Sequence, residues 1–181
     1  MDLKRIEGAW SNQENLEAIN PDFWTRDEKY TENCGNCTVA YELRHQGYDV
    51  EAKPNLKGGG LSIDKLADMF DGAKVQNAAG LSTTEDAHEM MAKVEHNVLT
   101  WGEGARGAIR GEWLWNDDDD KVGHLFSLTV HKGVVKYDDG QINKENVRHL
   151  EKMKPQSIQY VRLDNTKPND KVTTAVKNRR Q

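Results

Sequence analysis

The chain has only two cysteines in 181 residues, at positions 34 and 37. Two thiols three residues apart cannot staple distant parts of a fold. They exclude a disulfide framework and suit a reducing compartment. Long apolar runs are missing too: no stretch of about 18 apolar residues exists, so no membrane span is expected. Basic charge is in deficit, with 25 Lys and Arg against 30 Asp and Glu and a formal net charge of -5. Beyond a short basic tail at Lys177, Arg179 and Arg180 there is no broad basic stripe, and no nucleic-acid partner is expected. Met1-Asp2-Leu3-Lys4-Arg5 leads into no apolar stretch, so no signal peptide is expected. No internal repeat is visible.

What remains is enough for one modest core. Hydrophobic residues make up 36% of the chain and charged residues 30%, and five tryptophans with regular apolar spacing argue against disorder. Residues 1–32, with Trp10 and Phe23-Trp24 as anchors, read as an irregular lead-in. From Cys37, the residues Val39, Ala40 and Leu43 have helical spacing with a stop at Gly47, on a helix starting near Asn36. Tyr48 to Ala52 alternates as a strand, and a loop from Pro54 to Gly60 follows. Ser62 caps an expected helix bearing Ile63, Leu66, Ala67 and Phe70. Ser82 or Thr83 caps another, bearing Ala87, Met90, Met91 and Val94.

The period then changes. Residues 105–115, 125–131 and 134–137 read as strands of one antiparallel sheet, with an acidic loop at 116–120 and a tight hairpin at His131-Lys132-Gly133. A short helix at 144–153 and a strand at 158–163 are expected, then a flexible tail over 164–181. Helices first and sheet afterwards make an α+β fold. The catalytic domain is expected over 33–163.

The chemistry concentrates where the two cysteines stand, in Asn33-Cys34-Gly35-Asn36-Cys37. A thiol at a helix N-terminus meets the positive end of the macrodipole and unpaired N–H groups, which favour thiolate. With a helix starting near Asn36, Cys37 falls in its first turn and is the expected nucleophile; Cys34, in the preceding loop, is the alternative. The N–H of Cys37 is an expected oxyanion donor, with the side chain of Asn33 or Asn36 as a second; either asparagine equally suits a cap. A zinc site lacks its second half, because no further cysteine exists and the histidines lack metal-like spacing. A thioredoxin-type pair lacks its βαβ context. No metal or cofactor is expected.

A thiolate needs a base. His45, His88 and His96 fall on helices, His131 at a hairpin end and His149 on a late surface helix. His124 follows a glycine and opens an apolar strand, so it is the expected base. Asp139 lies one hairpin away and is the expected orienting acid; Asp138 is its rival, because adjacent strand residues face opposite sides.

These residues also carry a family resemblance. Asn33-Cys34-Gly35-Asn36-Cys37 running into Ala40-Tyr41-Glu42-Leu43-Arg44 and Gly47-Tyr48-Asp49-Val50-Glu51-Ala52 closely resembles the signature of the papain-fold toxin domain labelled a glutamine deamidase. That family occurs in bacterial polymorphic toxins and phage head-associated proteins. Gly104-Ala105-Arg106-Gly107, Gly123-His124 and Asp139-Gly140-Gln141 match its later blocks in order, so the resemblance covers residues 20–141. It implies a papain-like fold, with Cys37 as nucleophile, His124 as base and Asp139 as acid. Gln141, closing the last block, joins Asn33 and Asn36 as an auxiliary candidate.

Leu125 departs from the small residue many members carry after the histidine. The glutamine that papain-like proteases place ahead of the cysteine is absent between Glu14 and Cys37. The implied reaction is hydrolysis of a glutamine side-chain amide on a target protein through a thioester. The resemblance also implies delivery into a target-cell cytoplasm, by a toxin system or phage, and an immunity protein in the producer. A cysteine peptidase or transglutaminase on the same scaffold, or a non-catalytic binding module, is the alternative.

Overall fold

In the computed structural model, which describes residues 1–115 and 123–181, helices and short strands come first and the long strands follow. The order is α1 (Asn12–Ile19), α2 (Glu28–Thr31), α3 (Cys34–His45), β1 (Val50–Ala52), α4 (Ile63–Ala67), β2 (Phe70–Asp71), β3 (Gln76–Asn77), α5 (Ala87–Leu99), β4 (Arg106–Glu112), β5 (Gly123–His131), β6 (Val134–Asp138), β7 (Gln159–Arg162), β8 (Lys167–Pro168) and β9 (Val176–Asn178). The fold is α+β and papain-like. The acidic loop at 116–120 lies outside the described residues.

Five strands form one antiparallel sheet in the order β3-β7-β4-β5-β6, while β1 pairs with β9 and β2 with β8. Alternation along the central strands divides the apolar residues between two cores. Ala108, Leu125 and Val161 join α1, α3 and α4 on one face; Ile109, Phe126, Leu128 and Tyr160 join α5 on the other. Burying each such side chain contributes roughly 1.5–3 kcal/mol, so covering both faces is what makes a short sheet stable. Gly107 permits the tight contact between β4 and β7: a Cβ there would collide with the Val161 carbonyl.

The β5–β6 hairpin turns through Lys132 and Gly133, both at positive φ (52° and 75°), as a two-residue primed turn requires. That turn pairs His131 with Val134 and Ser127 with Asp138. Extended by one residue, the same register sets Asp139 against Phe126, two residues from His124 on the same strand face.

Several expectations need correction. The lead-in 1–32 is not irregular. Ser11 and Glu14 form a reciprocal capping box at α1, and Leu16 and Ile19 are fully enclosed in the core. Nor is 164–181 a loose tail: β8 and β9 pair with earlier strands, and Val172 and Val176 are buried. α5 is capped by Asp86, whose carboxylate accepts the Glu89 N–H at 2.8 Å, rather than by Ser82 or Thr83. Residues 144–153 form no α-helix; left-handed Asn146 (φ 54°) interrupts them and a 3₁₀ turn spans His149–Lys152. Most consequential for the site, α3 begins at Cys34, two residues before the expected start.

Candidate active site

The early start of α3 follows from how its first turn is held. The Asn33 amide donates to Asn20 Oδ1 and the Lys53 carbonyl, both at 3.2 Å, and the Asn36 amide donates to the same carbonyl at 3.0 Å. Neither asparagine caps the helix with its side chain. Both tie the helix start to the chain after β1, so their amides are committed to the scaffold. The first bond of the helical ladder runs from the Cys37 N–H to the Asn33 carbonyl at 3.0 Å. This satisfies the N–H expected to serve as an oxyanion donor. The N–H groups of Cys34, Gly35 and Asn36 lie ahead of the ladder instead. Gly35 is required for close approach, since a Cβ there would sit 2.5 Å from Leu61 Cβ.

The two thiols therefore have different surroundings. Cys34 is partly exposed at the first helical position and lines a cleft of about 300 Å³ together with His124, Leu61, Asp64, Arg110 and Gln159. Cys37, one turn on, is 1% exposed inside the core. Burial, reinforced by the charge of Asp139, pushes its thiol well above the ordinary range and away from thiolate. The structure thus brings Cys34, not Cys37, into the cleft with the histidine.

His124 opens β5. Its Nε2 lies 2.6 Å from Asp139 Oδ2. Burial alone would pull the imidazole down, but the bonds to Asp139 and then to Cys34 outweigh it and raise it to about 10. Burial would raise the Asp139 carboxyl, but His124 and His149 hold it well below the usual carboxylate range. An ionised carboxylate only accepts, so His124 Nε2 carries hydrogen and Nδ1 is left for proton exchange. Asp139 Oδ1 accepts the Gln141 N–H at 3.0 Å, and the Gln141 carbonyl accepts from the Asn20 amide at 2.9 Å. Gln141 thereby belongs, through its backbone, to the turn that fixes the acid.

Asp138 points the other way. It accepts from the Tyr41 hydroxyl at 2.7 Å and from the Asn12 amide at 3.0 Å, on the α3 side of the sheet. The strand alternation that makes Asp138 a rival also separates it from His124.

Sequence reasoning missed His149. Its Nε2 stands 2.8 Å from the same Asp139 Oδ2, and its ring meets those of His124 and Phe126 edge-on at 5.2 and 5.0 Å. Trp113 closes the group by stacking on His124, with centroids 5.7 Å apart. Only the fold reveals this role, because His149 reaches the acid from a 3₁₀ turn that carries no sequence motif. The donor atoms of His124, Asp139 and His149 lie within 4.8 Å of one another, a set able to take a metal ion. Here both histidines are hydrogen-bonded to the one carboxylate oxygen.

The family model described as papain fold toxin 1, glutamine deamidase, matches residues 32–144. The matched segment includes Cys34, His124 and Asp139, and stops short of His149. Among solved structures, the G161 variant of the Salmonella effector SpvD aligns with a TM-score of 0.53 at 15% identity, covering 90% of this chain and 82% of that one. At that identity the similarity speaks for the fold alone. No curated protein matches. Because the family model spans more than half of the sequence, the chain belongs to the papain-fold toxins of the glutamine deamidase type.

Proposed function

We propose that this toxin-family enzyme hydrolyses the side-chain amide of a glutamine on a target protein, with Cys34 as nucleophile, His124 as general base and acid, and Asp139 as the orienting carboxylate. The observation that carries the reading is the placement of Cys34 at the first position of α3, in one cleft with His124. Cys34 is partly exposed there, at the end of the helix whose first N–H groups lie ahead of the ladder. The raised His124 keeps the imidazolium beside it at neutral pH.

The thiolate attacks the carboxamide carbon, and a C–S bond forms as the carbonyl electron pair moves to oxygen. The N–H groups ahead of the α3 ladder receive that oxyanion. Collapse breaks the C–N bond, and nitrogen leaves as ammonia with the proton from His124. Water then gives a proton to His124 and attacks the thioester, releasing glutamate and the thiol. The net change is glutamine plus water to glutamate plus ammonia. Delivery into a target cell, with an immunity protein in the producer, is the setting we infer from the family.

The test is mass spectrometry of candidate target proteins after incubation. A gain of a single dalton at a glutamine, lost in Cys34→Ala, supports the reading. Cleaved fragments indicate a peptidase, and amine incorporation a transglutaminase. Full activity in Cys34→Ala overturns the nucleophile.

A further inference from the structure

The cleft holds a cation that the chemistry above does not use. Arg110 lies on β4 in register with Leu125 of β5 and Gln159 of β7, and it lines the cleft beside Cys34 and His124. Its guanidinium passes over the residue before the catalytic histidine: a Cβ on Gly123 would collide with Arg110 Nη2 and approach the Gly111 carbonyl to 3.0 Å. The glycine of the Gly123-His124 block therefore makes room for this arginine.

The other prominent arginines are spoken for. Arg106 pairs with Glu42, Arg44 with Asp49, Arg162 with Asp164 and Arg180 with Asp22. Among the described residues the Arg110 side chain has no ion pair or hydrogen bond. Asp64, the carboxylate lining the same cleft, makes no ion pair with it. A fork of five donors with no acceptor, in the cleft that holds the nucleophile, is a receptor for a bidentate anion.

From this arrangement we infer that Arg110 is a specificity residue, and that the favoured substrate is a glutamine flanked by an acidic side chain whose carboxylate Arg110 receives. The inference rests on the deamidase reading. It adds the substrate class: acidic glutamine-bearing segments over basic ones. In a protein of net charge -5, long-range attraction would favour basic partners. A preference for acidic flanks must therefore come from a local cation.

The experiment uses peptides with a single glutamine and one glutamate moved through the flanking positions, with alanine and lysine counterparts. Deamidation is followed by ammonia release and mass. At one flanking position glutamate is expected to raise kcat/KM about tenfold over alanine, the scale of one charge-assisted hydrogen bond, and lysine to lower it. Arg110→Gln should erase the difference, Arg110→Glu should invert it and Arg110→Lys should keep part of it.

A parallel readout needs no turnover: fluorescence anisotropy of the same labelled peptides on Cys34→Ala, with and without Arg110→Gln, at low and high salt. Tighter, salt-sensitive binding of acidic peptides that depends on Arg110 sustains the inference even where no peptide is deamidated, an outcome that would instead count against the deamidase reading. Equal binding of acidic and basic peptides, or a preference unchanged in Arg110→Gln, overturns it.

Discussion

At its first turn, α3 presents a partly exposed thiol, with peptide N–H groups lying ahead of the helical ladder. In its last two turns, Glu42 and Arg44 are almost wholly enclosed, 2% exposed each. Glu42 accepts two hydrogen bonds from Arg106 at 3.0 Å. Arg44 is held by Asn15, Asp49 and the Val50 carbonyl under the Trp10 ring. One end keeps polar groups unsatisfied where a substrate can use them. The other sets each charge against one of opposite sign, Arg44 on Asp49 and Glu42 on Arg106, because desolvation there is costly, and leaves Arg44 Nη2 alone without a hydrogen bond. The second end anchors the first: Arg106 fastens α3 to β4, the strand that also carries Arg110. Tyr41, between the two, bonds Asp138 at the end of β6.

The sharpest way to break this comparison is to alter the two thiols separately. Cys34→Ala should reduce deamidation by at least about a thousandfold while leaving the fold intact. Cys37→Ala, one turn on, should keep turnover and lose about 1 kcal/mol of stability, the scale of one buried heavy atom. Because Cys37 is buried and its thiol raised while Cys34 is partly exposed, iodoacetamide should label Cys34 alone in the folded protein and both thiols in denaturant. Labelling of Cys37 in the folded state would return the nucleophile to the position the sequence favours.

At the other end, Glu42→Ala strands the Arg106 guanidinium against the core and should cost roughly 3 kcal/mol in a urea titration, with a matching fall in activity only where the protein unfolds. A loss of activity at full stability would mean that the pair tunes the site directly.

Between these ends, two neighbouring carboxylates allow a smaller test. Asp139→Asn should lower kcat on the order of a hundredfold, because the amide cannot hold the charged imidazole as the carboxylate does. Asp138→Asn, bonded to Tyr41 and Asn12 on the opposite face, should leave kcat within a few-fold of wild type and show its effect in stability. Equal losses in kcat would dissolve the distinction between the two faces.

How much of this was legible in advance depended on range. The His131-Lys132-Gly133 turn and the alternation of β5 and β6 are local signals, and from them the sequence placed His124 and Asp139 one hairpin apart. The α+β order was legible for the same reason. The start of α3 was not. Asn33 and Asn36 bond a carbonyl seventeen to twenty residues downstream, and that tertiary tie, rather than a side-chain cap, lets the helix begin at Cys34. A helix shifted by two residues exchanges the roles of the two thiols. The termini were misread likewise. Leu16, Ile19, Val172 and Val176 sit in short segments with weak periodicity and are buried only because distant elements cover them. His149 and Arg110 carry no motif at all.

The smallest effect is in pH. His124 is raised to about 10 in the folded protein, against about 6.5 in an unfolded chain. Its contribution to stability is complete below about 6.5 and disappears as pH rises through 10. Asp139 is depressed, so its contribution is complete above about 4 and disappears as pH falls through its lowered folded value. The stability gap between wild type and Asp139→Asn should therefore be widest between about pH 4 and 6.5, shrink slowly toward 10 and shrink again in strong acid. Urea unfolding of both proteins across that range measures the gap. A gap independent of pH would mean that Asp139 supports the fold through its turn with Gln141 alone, leaving His124 without a charged partner and the cleft end of α3 without its imidazolium.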